Sequence, residues 1–204
     1  AGTALASLLT EAGIQLVGGV RTGALEIGVP EIASVTSPPL SAIVADMLTI
    51  SDDNTAELLL KEIAVATELG DDRQAGLDAV VATLTTWGID TSTLTLADGS
   101  GLSSTNQVTC DVLLAVLDRQ PADGPLRAGL PIAGQTGTLA AETAFDESVI
   151  GRLHAKTGTL TGVKALAGFV TTGGGELDFA LILNGDGIKD VYQPLWGRLG
   201  QIAA

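Results

Sequence analysis

Each residue type the chain is short of narrows what it can be. A single cysteine, Cys110, excludes an internal disulfide and reads as a small apolar residue on a helix. His154 is the only histidine, so a metal site of nitrogen and sulfur ligands would lack partners. Ten Lys and Arg stand against 24 Asp and Glu, for a net charge of -14, which argues against a nucleic-acid partner. An anionic ligand would instead have to be captured by a local positive group. No apolar run approaches bilayer-spanning length, and no charged-then-apolar leader opens the chain. Neither GxxxxGK[ST] nor GxGxxG occurs, so the glycine-rich 98–103 stretch gives little support for nucleotide binding. Aromatics make up 3%, and Trp87 and Trp196 read as core anchors.

What is present suffices for a fold. The 204 residues are 46% hydrophobic, enough for one sizeable core. Helical spacing predicts helices over 1–12, 40–50, 55–69, 73–87, 108–117 and 191–202. Short strands are expected at 14–17, 32–35 and 94–96. Pro and Gly mark 121–134 as a surface loop, and Gln135 to Leu139 is also read as a loop. Residues 163–171 and 177–183 are apolar runs around a glycine-rich turn, a β-hairpin. The order implies an α/β protein with helices packed on an antiparallel sheet.

Two polar stretches could carry chemistry. Lys156-Thr157-Gly158-Thr159 opens a predicted strand. Its ammonium attracts a carboxylate, its hydroxyls can donate to one, and Gly158 leaves room for a substrate backbone. The same residues also make an ordinary polar strand edge. Far upstream, Ser51-Asp52-Asp53-Asn54 sits at a predicted helix junction, where helix capping alone would explain it. Glu57 in the following turn suits the helix dipole, and His154 reads as a strand residue and not a general base.

Taken together and in order, these pieces resemble a family: penicillin-binding proteins of the D-alanyl-D-alanine carboxypeptidase/endopeptidase type, relatives of the serine β-lactamases. Ser51 to Glu57 resembles the family's Ser-Asp-Asn-x-x-Ala-Glu motif, and Asp98-Gly99-Ser100-Gly101-Leu102-Ser103 with Asn106 resembles its Asp-Gly-Ser-Gly-Leu-Ser loop. Ser37-Pro38-Pro39-Leu40, Leu130 to Gly134, Gly137-Thr138-Leu139 and the stretch from His154 to Val170 also fit.

The resemblance implies an incomplete transpeptidase-like domain. A helical region spans about 40–118, and a strand hairpin with a terminal helix spans about 153–204. It implies acyl transfer with Ser51 and Lys156 as catalytic residues and Asp53, Asn54, Thr157, Gly158 and Thr159 contacting substrate, without a cofactor. The amide of Thr159 would contribute to an oxyanion hole. The implied partners are peptidoglycan peptides ending in D-Ala-D-Ala and β-lactam antibiotics, in an extracytoplasmic location.

The chain departs from the family twice. The Ser-x-x-Lys motif that supplies nucleophile and base is absent: Leu58, Leu153, Thr161 and Asp186 stand three residues before Lys61, Lys156, Lys164 and Lys189. With the start at Ala1, this leads us to expect the nucleophile on a missing N-terminal segment. The second departure is Asp53, where the family has asparagine. A carboxylate only accepts, so Asp53 would lose a donor unless it is protonated, is paired with a lysine, or gives way to Asn54. Two other readings follow: an inactive cell-wall-binding module of the same fold and, disfavoured by the peptidase-like segments, a β-lactamase.

Overall fold

The computed structural model describes residues 2–24, 27–121 and 123–203. The chain divides into two compact units, Ala1–Ser37 and Pro38–Ala204.

The first unit contains helix α1, Gly2–Glu11, as its spacing predicts; Ala1 lies outside the described residues. The strands expected at 14–17 and 32–35 do not form. Alternating apolar residues make a strand only where a neighbour takes up the backbone hydrogen bonds.

The second unit is built on a three-stranded antiparallel sheet in the order β1 (Leu153–Leu160), β2 (Val163–Thr172), β3 (Gly175–Asn184). The predicted hairpin is β2–β3, with Phe169 opposite Asp178. Alternation sends successive side chains to opposite faces, and each face has its own core. On one, Leu153, Ala155, Leu166 and Val170 pack with Leu139, Val149, Trp196 and Leu199. On the other, Phe169 packs with Leu117 and Leu130. Each such aliphatic or Phe side chain contributes about 1.5–3 kcal/mol when fully buried. Helices thus flank an antiparallel sheet, as expected.

Trp196 is 0% exposed and anchors the first core, stacked with Phe145 and meeting Tyr192 edge-on. Trp87 does not play that part. It is 36% exposed at the end of its helix, under the Arg119 guanidinium. The single terminal helix expected over 191–202 is instead two, α7 (Ile188–Gly197) and α8 (Leu199–Ala203), the first containing Pro194. The strand expected at 94–96 is one bridge, Thr95 to Gln107.

Helices α2 (Leu40–Ile50), α3 (Asp53–Ala66), α4 (Arg73–Thr86) and α5 (Cys110–Asp118) match the predicted segments within a few residues. α3 packs on α4 through a close approach in which Gly76 meets the Leu60 backbone. Ile63 of α3 is exposed.

The segment 121–134 corrects the expectation of a surface loop. It contains a short helix, α6 (Pro125–Gly129), and continues into buried Leu130, Pro131 and Ala133; Ala122 lies outside the described residues. Gly129 lies against the backbone of Ala45 in α2, and the Thr49 hydroxyl of α2 donates to the Gly129 carbonyl at 2.9 Å. Arg127 stacks over Phe169 and pairs with Glu176 of β3, tying α6 to the sheet. Among the described residues, no helix is long and apolar enough to cross a membrane.

Candidate active site

α2 and α3 are joined by two residues with separate tasks. Ser51 closes α2 in the left-handed region, at φ 59 and ψ 54, and its amide donates to the Met47 carbonyl. Asp52 then caps α3, accepting from the amides of Asn54 (3.0 Å) and Thr55 (3.2 Å) and from the Thr55 hydroxyl (2.7 Å). Asp52 therefore does the capping that the sequence allowed for the whole stretch, and Ser51 is left for other work. A non-glycine residue at positive φ costs on the order of 1 kcal/mol and is held by its surroundings. Those surroundings include the Thr49–Gly129 bond and Gly137, whose α-carbon lies against the Thr49 carbonyl.

Lys156 reaches this junction from β1. Its Nζ donates to Ser51 Oγ at 2.6 Å and to the Thr157 carbonyl at 2.9 Å. An ammonium has three N–H donors, so one remains for a ligand. Burial pushes the Lys156 ammonium below the ordinary lysine range, and the charge of Asp53 opposes that shift. Asp53 itself is exposed in the first turn of α3. Asn54 follows it on regular helix and is also exposed.

The Lys-Thr-Gly-Thr residues divide between the two faces of the sheet. Lys156 shares its face with His154, Ala167 and Phe169. Thr157 and Thr159 share theirs with the buried Leu153 and Ala155. The Thr157 hydroxyl lies 3.1 Å from that of Thr138, and Thr159 Oγ1 accepts from Lys164 at 3.0 Å. Gly158 pairs with Ala165, where an added β-carbon would crowd the Ala165 methyl at 3.3 Å. The backbone supplies what the side chains do not. The Ala155 amide donates outward to the Pro131 carbonyl at 2.9 Å, and Leu153 accepts from Ala133 on the same edge. With a period of two, the amides of Thr157 and Thr159 point out along that edge, where no described strand continues past Ala155.

Two contributors were missed in the sequence. Thr138 was assigned to a loop apart from the site, yet its hydroxyl touches Thr157; the repeat of Thr-Gly-Thr-Leu in the two stretches was the available signal. Glu57 does more than suit a helix dipole. Its carboxylate accepts from the amides of Gly99 (2.9 Å) and Ser100 (3.0 Å) and the Ser100 hydroxyl (2.9 Å), and pairs with Arg73 at 3.0 Å. Burial alone would raise its pKa; the Ser100 and Gly99 donors and Arg73 bring it below the usual carboxylate value. The anchored loop is also braced from within, because Asp98 accepts from Gly101, Ser103 and Asn106. His154, in β1 as expected, has its pKa lowered by burial and by Arg127, against the opposing pull of Glu176.

Comparison with known proteins shows what the chain as a whole is similar to. The model of the D-Ala-D-Ala carboxypeptidase 3 (S13) family matches residues 1–195. Carboxypeptidase DacB of Mycolicibacterium smegmatis is 42% identical over 165 residues, covering 76% of this chain and 36% of that protein. A D-alanyl-D-alanine carboxypeptidase of Actinomadura sp. is 38% identical over 162 residues, covering 76% of this chain and 30% of that protein. The chain thus spans about a third of the length of these relatives. Among solved structures, penicillin binding protein 4 (dacB) of Haemophilus influenzae, complexed with a β-lactam, superposes with a TM-score of 0.77 at 31% identity. That match covers 90% of this chain and 43% of the other. By sequence and by fold, the chain belongs to the D-Ala-D-Ala carboxypeptidase 3 (S13) family.

Proposed function

We propose that this chain forms the substrate-gripping part of a serine-type D-Ala-D-Ala carboxypeptidase or endopeptidase acting on peptidoglycan stem peptides outside the cytoplasm. The observation that carries the reading is the 2.6 Å contact between Lys156 Nζ and Ser51 Oγ, residues 105 apart in sequence. A polar strand edge and a helix cap have no reason to meet this way; a proton-handling pair does.

In this reading the substrate extends along the open edge of β1. Its terminal carboxylate is met by the free N–H of Lys156, and the outward Thr159 amide donates to the scissile carbonyl oxygen. A nucleophilic serine, supplied by residues outside this chain, passes its proton to the lysine of its own Ser-x-x-Lys motif, adds to the carbonyl carbon and forms a tetrahedral oxyanion. The C–N bond then breaks, and the leaving D-alanine nitrogen takes the Ser51 hydroxyl proton, which Lys156 leaves free because Lys156 is itself the donor in their bond. Lys156, its pKa already lowered by burial, returns a proton to Ser51. Water hydrolyses the acyl-enzyme. A β-lactam offers a strained amide beside a carboxylate and acylates the same serine.

The test uses the full-length protein. Labelling by a fluorescent penicillin, with release of D-alanine from a D-Ala-D-Ala peptide, is the expected result; absence of both refutes the reading. Asp53, standing where the family has asparagine, favours a second reading, an inactive cell-wall-binding module. That reading predicts retention on peptidoglycan with no label. Nitrocefin turnover outpacing D-alanine release would instead indicate a β-lactamase.

A further inference from the structure

The end of β1 that carries Thr159 has little behind it. A cavity of about 620 Å³ opens there, lined by Thr159 to Lys164 on one side and by Gly185 to Ile188, Asp190, Tyr192 and Gln193 on the other. The outer edge of the strand is unpaired among the described residues at this point. Two contacts brace this end of the sheet. One is backbone, the Gly185 amide donating to the Gly162 carbonyl at 2.9 Å. The other is Lys164, which lies opposite Thr159 in the β1–β2 register and donates from Nζ to Thr159 Oγ1 at 3.0 Å.

Lys164 is itself held. Its ammonium lies 4.6 Å from the Tyr192 ring centroid and 5.1 Å from that of Trp196. Trp196 is fully buried in the core, so the cation rests against a buried ring of α7. The chain of contacts runs from the core through an aromatic pair and an ammonium to one hydroxyl, on the residue whose amide faces the open edge. A hydroxyl that accepts from an ammonium keeps its own proton free to donate.

We propose that Lys164 is a positioning residue: held by Tyr192 and Trp196, it sets Thr159 so that the Thr159 amide meets the developing oxyanion. The role rests on the acyl-transfer reading above. It differs from that of Lys156, because Lys164 lies on the opposite face of the sheet and touches neither Ser51 nor the reacting atoms. A misplaced oxyanion donor weakens the transition state more than substrate binding, and this separates positioning from mere support.

The experiment compares Lys164→Met, which keeps the stem against the rings, with Lys164→Arg in the full-length protein, following penicillin acylation over a range of concentrations. In Lys164→Met the acylation rate constant falls about tenfold while the half-saturating concentration moves less than about threefold. Lys164→Arg restores most of the rate. Thr159→Val cuts the same tie from the other end and loses as much, and the double variant Lys164→Met/Thr159→Val loses no more than either alone. A wild-type rate in Lys164→Met, or losses that multiply in the double variant, overturns the proposal. Thr159→Val alone carries the test should Lys164→Met fail to fold. Wild-type protein that takes no label removes the acyl-transfer reading, and the catalytic role of Lys164 falls with it. The tie itself is then read by hydrogen exchange: faster exchange across 157–162 in Lys164→Met supports it, and unchanged exchange refutes it.

Discussion

The contact between Lys156 and Ser51 makes a quantitative prediction. A bond of 2.6 Å from an ammonium to a hydroxyl is charge-assisted, and such bonds contribute about 1.5–3 kcal/mol. If that interaction is used in the transition state, its loss lowers acylation about 10- to 150-fold, at about 1.36 kcal/mol per decade. The perturbation is a double-mutant cycle, Lys156→Met and Ser51→Ala, in the full-length protein. Each single variant loses the pair, so the double variant falls little below the worse single, and the coupling equals the figure above. Folding behaves oppositely. Burial lowers the Lys156 pKa, so at neutral pH the folded state carries a penalty for holding the proton, and that penalty is relieved as pH rises toward the unfolded lysine value. Met removes the penalty, and the melting temperature of Lys156→Met is expected to equal or exceed that of the wild type. The assay is the time course of fluorescent penicillin labelling, with thermal unfolding alongside. Single losses that multiply to give the double, with coupling under about twofold, would refute the pairing as a functional unit.

Three further outcomes are expected. Asp53→Asn removes the charge that opposes the Lys156 shift, so the alkaline limb of the acylation–pH profile moves to lower pH; an unmoved limb would show that Asp53 does not tune Lys156. Glu57→Gln exchanges an acceptor of three loop hydrogen bonds for an amide and costs about 1–3 kcal/mol at pH 7 by urea unfolding. Because the folded Glu57 pKa is depressed, wild-type stability from this group is present above about pH 4.3 and lost as pH falls through the folded value. The Gln variant should show a shallower acid decline, and a parallel curve would count against the linkage. Gly137→Ala would place a β-carbon 2.1 Å from the Thr49 carbonyl oxygen at φ +55. A cost above about 2 kcal/mol follows, or about 4–8 °C in melting temperature, and an unchanged midpoint would refute the close approach.

How much was legible depended on how locally each feature is encoded. The stripes of α3 and α4, the Asp52 cap and the glycine-turn hairpin are written in neighbouring residues, and they form where spacing puts them. Trp196 and Trp87 look alike in sequence; only the sheet decides that one is buried and the other capped by an arginine. Segment 121–134 was misread because Pro and Gly serve close packing as well as turns, and Gly129 is there to admit Ala45. The Ser51–Lys156 pairing came from motif order, whereas the Glu57–Ser100 and Lys164–Thr159 bonds depend on which elements pack together. Residues 14–17 and 32–35 show the reverse, a local pattern without a partner to realise it.

The outer margin of β1 is occupied unevenly. Pro131 to Ala133 already pair with its first residues and stop at Ala155, so a guest strand finds its first vacant hydrogen-bonding place next to Lys156. From there the chain offers a donor only at every second step, at Thr157 and again at Thr159. The margin therefore works as a ruler with a fixed zero. A guest displaced by one residue turns its amides and carbonyls away from the edge, and under the proposed reading one displaced by two leaves its end group away from the ammonium, so a single alignment would serve both.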